Sequence, residues 1–270
     1  MTTALLGVGM MGENLLAGLL ASGVPADQIV GTDLRPERQR EITEKYGIRM
    51  LGDNAEAVAG ADTVVVIVKP YDVAAALDGI SAALMPGALV ISLAAGVELA
   101  VLESHLPSGT AVVRVMPNTP ASVGEGMSAV AGGWSATEEH LARTTELLGA
   151  VGRVVTVAEK HLDAVTAVSG SGPAYVMYVA EAMIDAGVLL GLPRDVATTL
   201  ATQTLYGSAK MLRDSGTHPA LLRENVTSPG GTTAAALRTL DDHGVKAAFI
   251  AALEACRDRS QELAAQARPH

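Results

Sequence analysis

Thr3-Ala4-Leu5-Leu6-Gly7-Val8-Gly9-Met10-Met11-Gly12 leads into Glu13 to Ser22, where Leu15, Leu16, Leu19 and Leu20 recur at helical spacing. Four mostly apolar residues make a short strand, the glycines a turn, and the leucines a helix. The glycines match G-x-G-x-x-G between a strand and a helix, the context in which each has a mechanical task. Gly7 permits the tight turn, Gly9 lets the backbone approach a pyrophosphate, and Gly12 lets the helix lie against the strand. The ligand such a turn serves is a dinucleotide, its phosphates seated on the helix N-terminus.

Outward from this turn, strands alternate with helices. A second strand, Gln28 to Thr32, ends at Asp33, about 20 residues past Gly12, where a ribose-binding acid sits in dinucleotide folds. Asp33 favours NAD, whereas Arg35 is placed for the 2′-phosphate of NADP; Arg38 reads as part of a solvated helix start. A helix to about Tyr46, Asn54 with a short Ala-rich helix, and the run Thr63 to Val68 follow. That run reads as a strand buried on both faces and stops at Lys69-Pro70. Leu89 to Leu93 ends at Ala94-Ala95-Gly96, and Thr110 to Met116 ends at Pro117-Asn118-Thr119-Pro120. A helix over Thr137 to Leu148 and a last strand at Arg153 to Val157 complete the pattern. The order predicts a parallel, doubly wound, Rossmann-like α/β sheet over residues 1–159, with its strand ends facing the cofactor.

From residue 160 to 270 the chain reads as an all-helical domain, interrupted twice. Ser169-Gly170-Ser171-Gly172-Pro173 is one break, and Pro173 starts the helix through Tyr175, Val179 and Met183. Val226-Thr227-Ser228-Pro229-Gly230-Gly231-Thr232-Thr233 is the other. Here Ser228 is expected to cap a helix with Pro229 at its first position, and Gly230 and Gly231 leave the approach open. Backbone N–H groups of Gly230 to Thr233, with the helix dipole, then form a seat for a carboxylate or phosphate; an ordinary capped turn is the plainer alternative. The low-charge helices over Ala174 to Leu190 and Val196 to Leu212 carry more apolar surface than a small lone domain buries. The surplus points to a second subunit.

Composition narrows the rest. At 270 residues, 49% hydrophobic and with 28 glycines, the chain is long enough for two cored domains. A net charge of −10, no Lys/Arg cluster and few aromatic residues argue against nucleic acid as a partner. Cys256 is the sole cysteine, so an intrachain disulfide or Cys-based zinc site is excluded; core packing in a late helix is its expected role. The six histidines are scattered and no metal site is expected. Met1-Thr2-Thr3 enters a strand without a basic leader, and no apolar run reaches the roughly 18 residues of a membrane span. A soluble, unprocessed, cytoplasmic protein is the expectation.

The motifs resemble those of pyrroline-5-carboxylate reductases, the enzymes that make proline, essentially from end to end. The resemblance rests on Gly7 to Gly12, Val68-Lys69-Pro70, Ser92 to Gly96, Arg114 to Pro120, Thr166 with Ser169 to Tyr175, and Val226 to Thr233. It implies NAD(P)H-dependent reduction of 1-pyrroline-5-carboxylate to L-proline by a dinucleotide-binding domain and a helical domain that interlocks with a second subunit. Homodimers assembling further, commonly as a ring of five to give a decamer, are implied as well. Matched residue by residue, it places the pyrophosphate at Gly9 to Gly12 with backbone groups of Met10 and Met11. Asn54, Val68, Lys69 and Pro70 then flank the adenosine and the nicotinamide ribose. Ala94 and Ala95 flank the nicotinamide, and Asn118 belongs to the same edge. The substrate carboxylate is placed on Ser228 and Gly230 to Thr233, with Thr233 reaching the ring nitrogen. Two departures stand out: Tyr71 where relatives usually carry Gln, and Leu34 where close relatives often carry Arg.

The parts suit the chemistry: an anion seat, a hydride donor and a source of one proton. Thr233 is assigned positioning rather than acid catalysis, because an unperturbed hydroxyl is a poor proton donor near neutral pH. Lys69 is the other candidate acid, or equally a phosphate contact. NADPH is the expected cofactor, with NADH as the alternative. A 3-hydroxy acid dehydrogenase would need a catalytic lysine early in the second domain, where this chain has Ser171 and Tyr175. A nicotinamide-binding regulatory protein without turnover leaves the carboxylate loop without a purpose. A purely structural dimer explains neither glycine-rich break.

Overall fold

The computed structural model describes residues 1–266. Eight strands form one sheet: β1 (Thr3–Leu6), β2 (Ile29–Thr32), β3 (Arg49–Leu51), β4 (Thr63–Val66), β5 (Leu89–Ser92), β6 (Ala111–Met116), β7 (Gly126–Gly132) and β8 (Gly152–Thr156). Their order is β3-β2-β1-β4-β5-β6-β7-β8. The helices woven among them are α1 (Met10–Ala21), α2 (Pro36–Tyr46), α3 (Asn54–Val58), α4 (Val73–Ser81), α5 (Leu99–Ser104) and α6 (Glu138–Gly149). The short edge strand β3 has no counterpart in the sequence reading, which passes from helix to Asn54.

The inner strands are buried on both faces because both faces carry helices, while the edge strands β3 and β8 are partly exposed. Ala4, Leu6, Val64, Val66 and Val90 pack with Leu77, Ile80 and Leu102 of α4 and α5. Leu5, Val65, Leu89 and Ile91 pack on the opposite side with Leu15, Leu16 and Leu19 of α1, Ile42 of α2 and Leu148 of α6. Alternate residues of one strand thus serve two cores, which is why Thr63 to Val66 shows no polar alternation.

Register decides where the strand ends fall. Leu6 pairs with Thr32 and Val66, Val66 with Ser92, and Ser92 with Arg114. The residues that follow each strand therefore emerge on one edge, the carboxyl edge where open α/β sheets collect ligands. The sheet is parallel throughout except at one pair: β7 runs antiparallel to β6. The link between them, residues 117–125, holds only a 3-10 turn at Thr119–Val123. Such a link is shorter than the dozen or so residues a parallel crossover takes, so the chain turns back on itself.

After β8 come α7 (Leu162–Val165), a π-helical turn at Thr166–Gly170, α8 (Gly172–Leu189), α9 (Arg194–Ser215), α10 (Pro219–Asn225), α11 (Thr232–Asp242) and α12 (Val245–Gln266). Two compact units result: Met1–Ser171 together with the chain from Cys256 onward, and Gly172–Ala255. Within the first unit, Ser260 of α12 donates to Asp163 at 2.7 Å and Cys256 Sγ donates to Ser171 at 3.3 Å. Cys256 is half-buried and hydrogen-bonded rather than a core residue. Within the second unit, α8 and α9 pack on each other around buried Ala197 and Ala201. Met177, Tyr178, Leu189, Leu200 and Tyr206 remain exposed on these helices, as does Leu190 just past the end of α8. No helix among the described residues is long and apolar enough to cross a membrane.

A charged cluster holds α2 against α1. Glu13, in the first turn of α1, accepts from Lys45 Nζ at 2.8 Å, from the Tyr46 hydroxyl at 2.9 Å and from the Arg38 guanidinium. Arg38 also pairs with Glu41 at 2.8 Å, and its side chain is only 12% exposed. It is a bound structural residue, not the solvated helix start its sequence context suggests. Its partner Glu13 lies on another helix, out of reach of local reading.

Hydrogen bonds from Lys45 and then Arg38 hold the Glu13 carboxyl at a pKa of about 2, down from 4.5. A folded-state pKa below the unfolded value makes its contribution complete above pH 4.5 and lost as pH falls toward 2. Urea unfolding midpoints should accordingly drop more steeply over that window for the native chain than for Glu13→Gln. Parallel pH curves for the two proteins would remove Glu13 from the acid response.

Candidate active site

The glycine turn between β1 and α1 has the geometry its spacing predicts. Gly7 has φ +92°, a left-handed conformation that a side chain would strain. A Cβ on Gly12 would lie 2.6 Å from the Gly7 carbonyl oxygen, so only glycine lets α1 start this close to β1. Nothing stands within 4 Å of a Cβ built on Gly9, and its face of the turn is open. The first intrahelical bond runs from Glu13 N–H to the Gly9 carbonyl at 2.9 Å. The N–H groups of Met10, Met11 and Gly12 therefore lie outside the helix ladder and are free to receive an anion. Behind the turn, Gly7 N–H donates to the Thr32 carbonyl at 3.1 Å and Thr32 Oγ1 donates to Asn54 Oδ1 at 2.7 Å. Asn54 opens α3, whose cap is Asp53, accepting from Ala55 N–H at 2.7 Å.

At the end of β2 the two residues with opposing cofactor preferences are bonded to each other. Asp33 Oδ1 accepts the backbone N–H and Nε of Arg35, both at 3.0 Å, and Oδ2 accepts Nη2 at 3.2 Å. Burial pushes the Asp33 carboxyl up, but the Arg35 hydrogen bonds outweigh it and the net shift is downward. The Arg35 side chain is 65% exposed while that of Asp33 is 10% exposed. Leu34 between them faces solvent.

The other predicted residues of this unit line the same edge. Val68 is half-buried, Lys69 and Pro70 are exposed at the start of a 3-10 turn, and Tyr71 stands in solvent. Ala94 is buried, with its N–H directed to Ser92 Oγ at 3.4 Å, and Ala95 is exposed. Asn118 uses both ends of its amide: Oδ1 accepts Met127 N–H at 2.7 Å and Nδ2 donates to the Ser169 carbonyl at 3.1 Å. It thereby ties the loop after β6 to the π-helical turn Thr166–Gly170. That turn is absent from the sequence reading because Thr166 and Ser169 bond back to the Leu162 and Val165 carbonyls, as they would in an ordinary helix. The pair between buried Arg114 and half-buried Glu159, at 2.9 Å, likewise has no local signal; Glu159 also accepts Leu99 N–H at 2.6 Å.

The second unit holds the remaining candidates in one loop, built differently from expectation. Ser228 does not cap α11 and Pro229 is not its first residue; the N-cap is Gly231 and the helix begins at Thr232. Gly231 N–H donates to the Ser228 carbonyl at 3.0 Å, and Gly230 has φ +67°. Pro at the second position and a left-handed Gly at the third are the pattern of a type II turn, which keeps these residues out of the helix. A Cβ on Gly231 would lie 2.5 Å from Ser228 Oγ, so that glycine is packed against the serine rather than open. The first intrahelical bond, Ala235 N–H to the Gly231 carbonyl at 3.2 Å, leaves the N–H groups of Thr232, Thr233 and Ala234 outside the ladder. Thr232 is exposed and Thr233 half-buried. The N–H groups outside the ladder thus begin at Thr232 rather than at Gly230 as expected, because the helix starts later and the turn takes the Gly231 N–H for itself.

Comparison with known proteins places the chain in a family. Residues 159–263 match the family model for pyrroline-5-carboxylate reductase dimerisation, and residues 2–96 match that for NADP oxidoreductase, coenzyme F420-dependent. The pyrroline-5-carboxylate reductase of Corynebacterium melassecola is 44% identical over 265 residues, which cover 97% of this chain and 98% of that one. Among solved structures, a pyrroline-5-carboxylate reductase from Coxiella burnetii superposes with a TM-score of 0.94 at 34% identity, covering 97% and 98% of the two chains. The Plasmodium falciparum enzyme, solved with NADP bound, superposes at 0.86 with 29% identity over 97% and 98%. With relatives of that identity spanning nearly its full length, the chain belongs to the pyrroline-5-carboxylate reductase family, the oxidoreductases that complete proline biosynthesis.

Proposed function

We propose that this chain reduces 1-pyrroline-5-carboxylate to L-proline with NADPH, one hydride passing to the C=N carbon and one proton ending on nitrogen. The observation that carries the reading is the loop at 228–233. A type II turn delivers a helix N-terminus whose unladdered N–H groups meet the requirement of a ring carboxylate, with the Thr233 hydroxyl beside them. In this reading Ser228 and Gly230 to Thr233 hold the substrate, Gly231 through the shape of the turn. Thr233 aligns the ring nitrogen, and the proton comes from water or from the already protonated imine.

The dinucleotide belongs to the carboxyl edge of the sheet. Its pyrophosphate is assigned to the turn at Gly7 to Gly12, with the N–H groups of Met10 and Met11. Asn54, Val68, Lys69 and Pro70 flank the adenosine and ribose, and Ala94 and Ala95 the nicotinamide. Asn118 contributes by bracing the loop beside them. NADPH is preferred over NADH because Arg35 is solvent-exposed and already shields the charge of Asp33. A 2′-phosphate would share that guanidinium, whereas a 2′-hydroxyl needs the Asp33 oxygens that Arg35 now occupies. The NADP-bound Plasmodium relative supports the assignment. Homodimers form through the apolar faces of α8 and α9 and assemble to a decamer in the cytoplasm; the match to the dimerisation model supports the first step.

Initial rates of nicotinamide oxidation with 1-pyrroline-5-carboxylate, run in parallel with NADPH and NADH, test the reaction and its cofactor together. NADPH should be faster at equal concentration; no turnover with either nucleotide on folded protein would sink the reading. Arg35→Ala should raise KM for NADPH about tenfold, the loss of one charge-assisted hydrogen bond, while leaving NADH within twofold. An equal effect on both nucleotides would take Arg35 away from the 2′-phosphate. Thr233→Ala should lower kcat/KM for the imine by about 10²-fold, the scale of a lost orienting contact at the reacting atoms, with NADPH affinity unchanged. Undiminished activity would exclude Thr233 from the mechanism.

A further inference from the structure

Arg38 lies beneath the glycine turn rather than beside the ribose. Its Nε donates to the Val8 carbonyl at 2.9 Å and Nη2 to the Gly9 carbonyl at 3.4 Å, while Glu13 and Glu41 hold the remaining guanidinium edges. A trans peptide is planar, with its C=O and N–H pointing in opposite directions. Drawing the Val8 carbonyl inward therefore turns the Gly9 N–H outward, and drawing the Gly9 carbonyl inward turns the Met10 N–H outward. Planarity thus turns these N–H groups to the side away from Arg38, and a Cβ on Gly9 would meet nothing within 4 Å.

We infer that Arg38 is a positioning residue for the cofactor pyrophosphate: it sets the tilt of two peptide planes and so aims the phosphate-binding N–H groups. Glu13 is its anchor, itself fixed by Lys45 and Tyr46. The carbonyls and Glu13 together hold the guanidinium in place, so Arg38 is not available to the 2′-phosphate and its division of labour with Arg35 follows. The inference rests on the assignment of the Gly7 to Gly12 turn as the dinucleotide seat. Its signature is a loss common to both nucleotides, unlike that of Arg35.

The test is the Kd of NADPH and of NADH for the full-length protein by nicotinamide fluorescence, with KM for the imine at saturating cofactor and thermal unfolding as companions. Arg38→Met should weaken both nucleotides alike by about tenfold, the equivalent of one lost charge-assisted hydrogen bond, and leave KM for the imine within twofold. Arg38→Lys keeps the charge but lacks the planar fork that serves two carbonyls, so it should remain several-fold weaker than the native chain. Full recovery with lysine, a loss confined to NADPH, or unchanged Kd values would each overturn the inference. If Arg38→Met does not fold, Glu13→Gln carries the test, since it releases the anchor and should weaken both nucleotides in the same ratio. Gly9→Ala separates the premise from the inference. A methyl there fits the protein but occupies the phosphate approach, so both nucleotides should be lost; native affinity in that variant would overturn the glycine-turn assignment and the role of Arg38 with it.

Discussion

The approach of α1 to β1 is the constraint on which the nucleotide half depends. With the Gly7 carbonyl 2.6 Å from where a Gly12 side chain would begin, any other residue would push the helix away from the strand. The helix N-terminus would then no longer open onto the carboxyl edge that the register of β1, β2, β4 and β5 creates. Burial of Leu15, Leu16 and Leu19 on the sheet supplies the energy that holds the helix down, roughly 1.5–3 kcal/mol per side chain. The glycines supply the room.

Charge at the corner between β2 and α2 is sorted by burial. Two arginines stand three residues apart, yet one is engaged by carbonyls and carboxylates within the protein and the other is exposed beside Asp33. A guanidinium held by Glu13, Glu41 and two backbone oxygens has its donors committed, and a ligand phosphate would gain little from it. The exposed one keeps most of its guanidinium in solvent while it caps the nearly buried Asp33 carboxylate, so in the proposed reading a phosphate shares it rather than displacing Asp33. The same residue type is thus tied into the protein in one place and presented to solvent in another.

The helical unit follows a different rule. Its helices bury few side chains of their own, and large apolar residues such as Leu189, Leu190 and Tyr206 lie in solvent in the single chain. An apolar surface of that kind belongs to an interface. The loop at 228–233 needs no partner for its shape, because the Ser228 to Gly231 turn closes on its own hydrogen bond.

Much of this was legible in the residues themselves. Apolar runs with glycine punctuation mark β1, β2, β4, β5 and β6, leucine spacing marks α1, and the helix expected from Thr137 is α6, with Thr137 as its N-cap. These are local properties, set by backbone sterics and side-chain periodicity within a few residues. The antiparallel turn-back of β7, the start of α11 at Thr232, the π-helical turn after α7 and the seat of Arg38 were not legible. Each depends on a partner outside the local window, or on a competition between two allowed local states that packing resolves. Sequence by itself determined that a dinucleotide-type sheet precedes an apolar helical half broken by a glycine-rich loop. The tertiary structure alone decided which of the two neighbouring arginines is engaged inside the protein and which stays exposed, because a hydrogen bond made across elements commits a donor that no pattern of neighbours reveals.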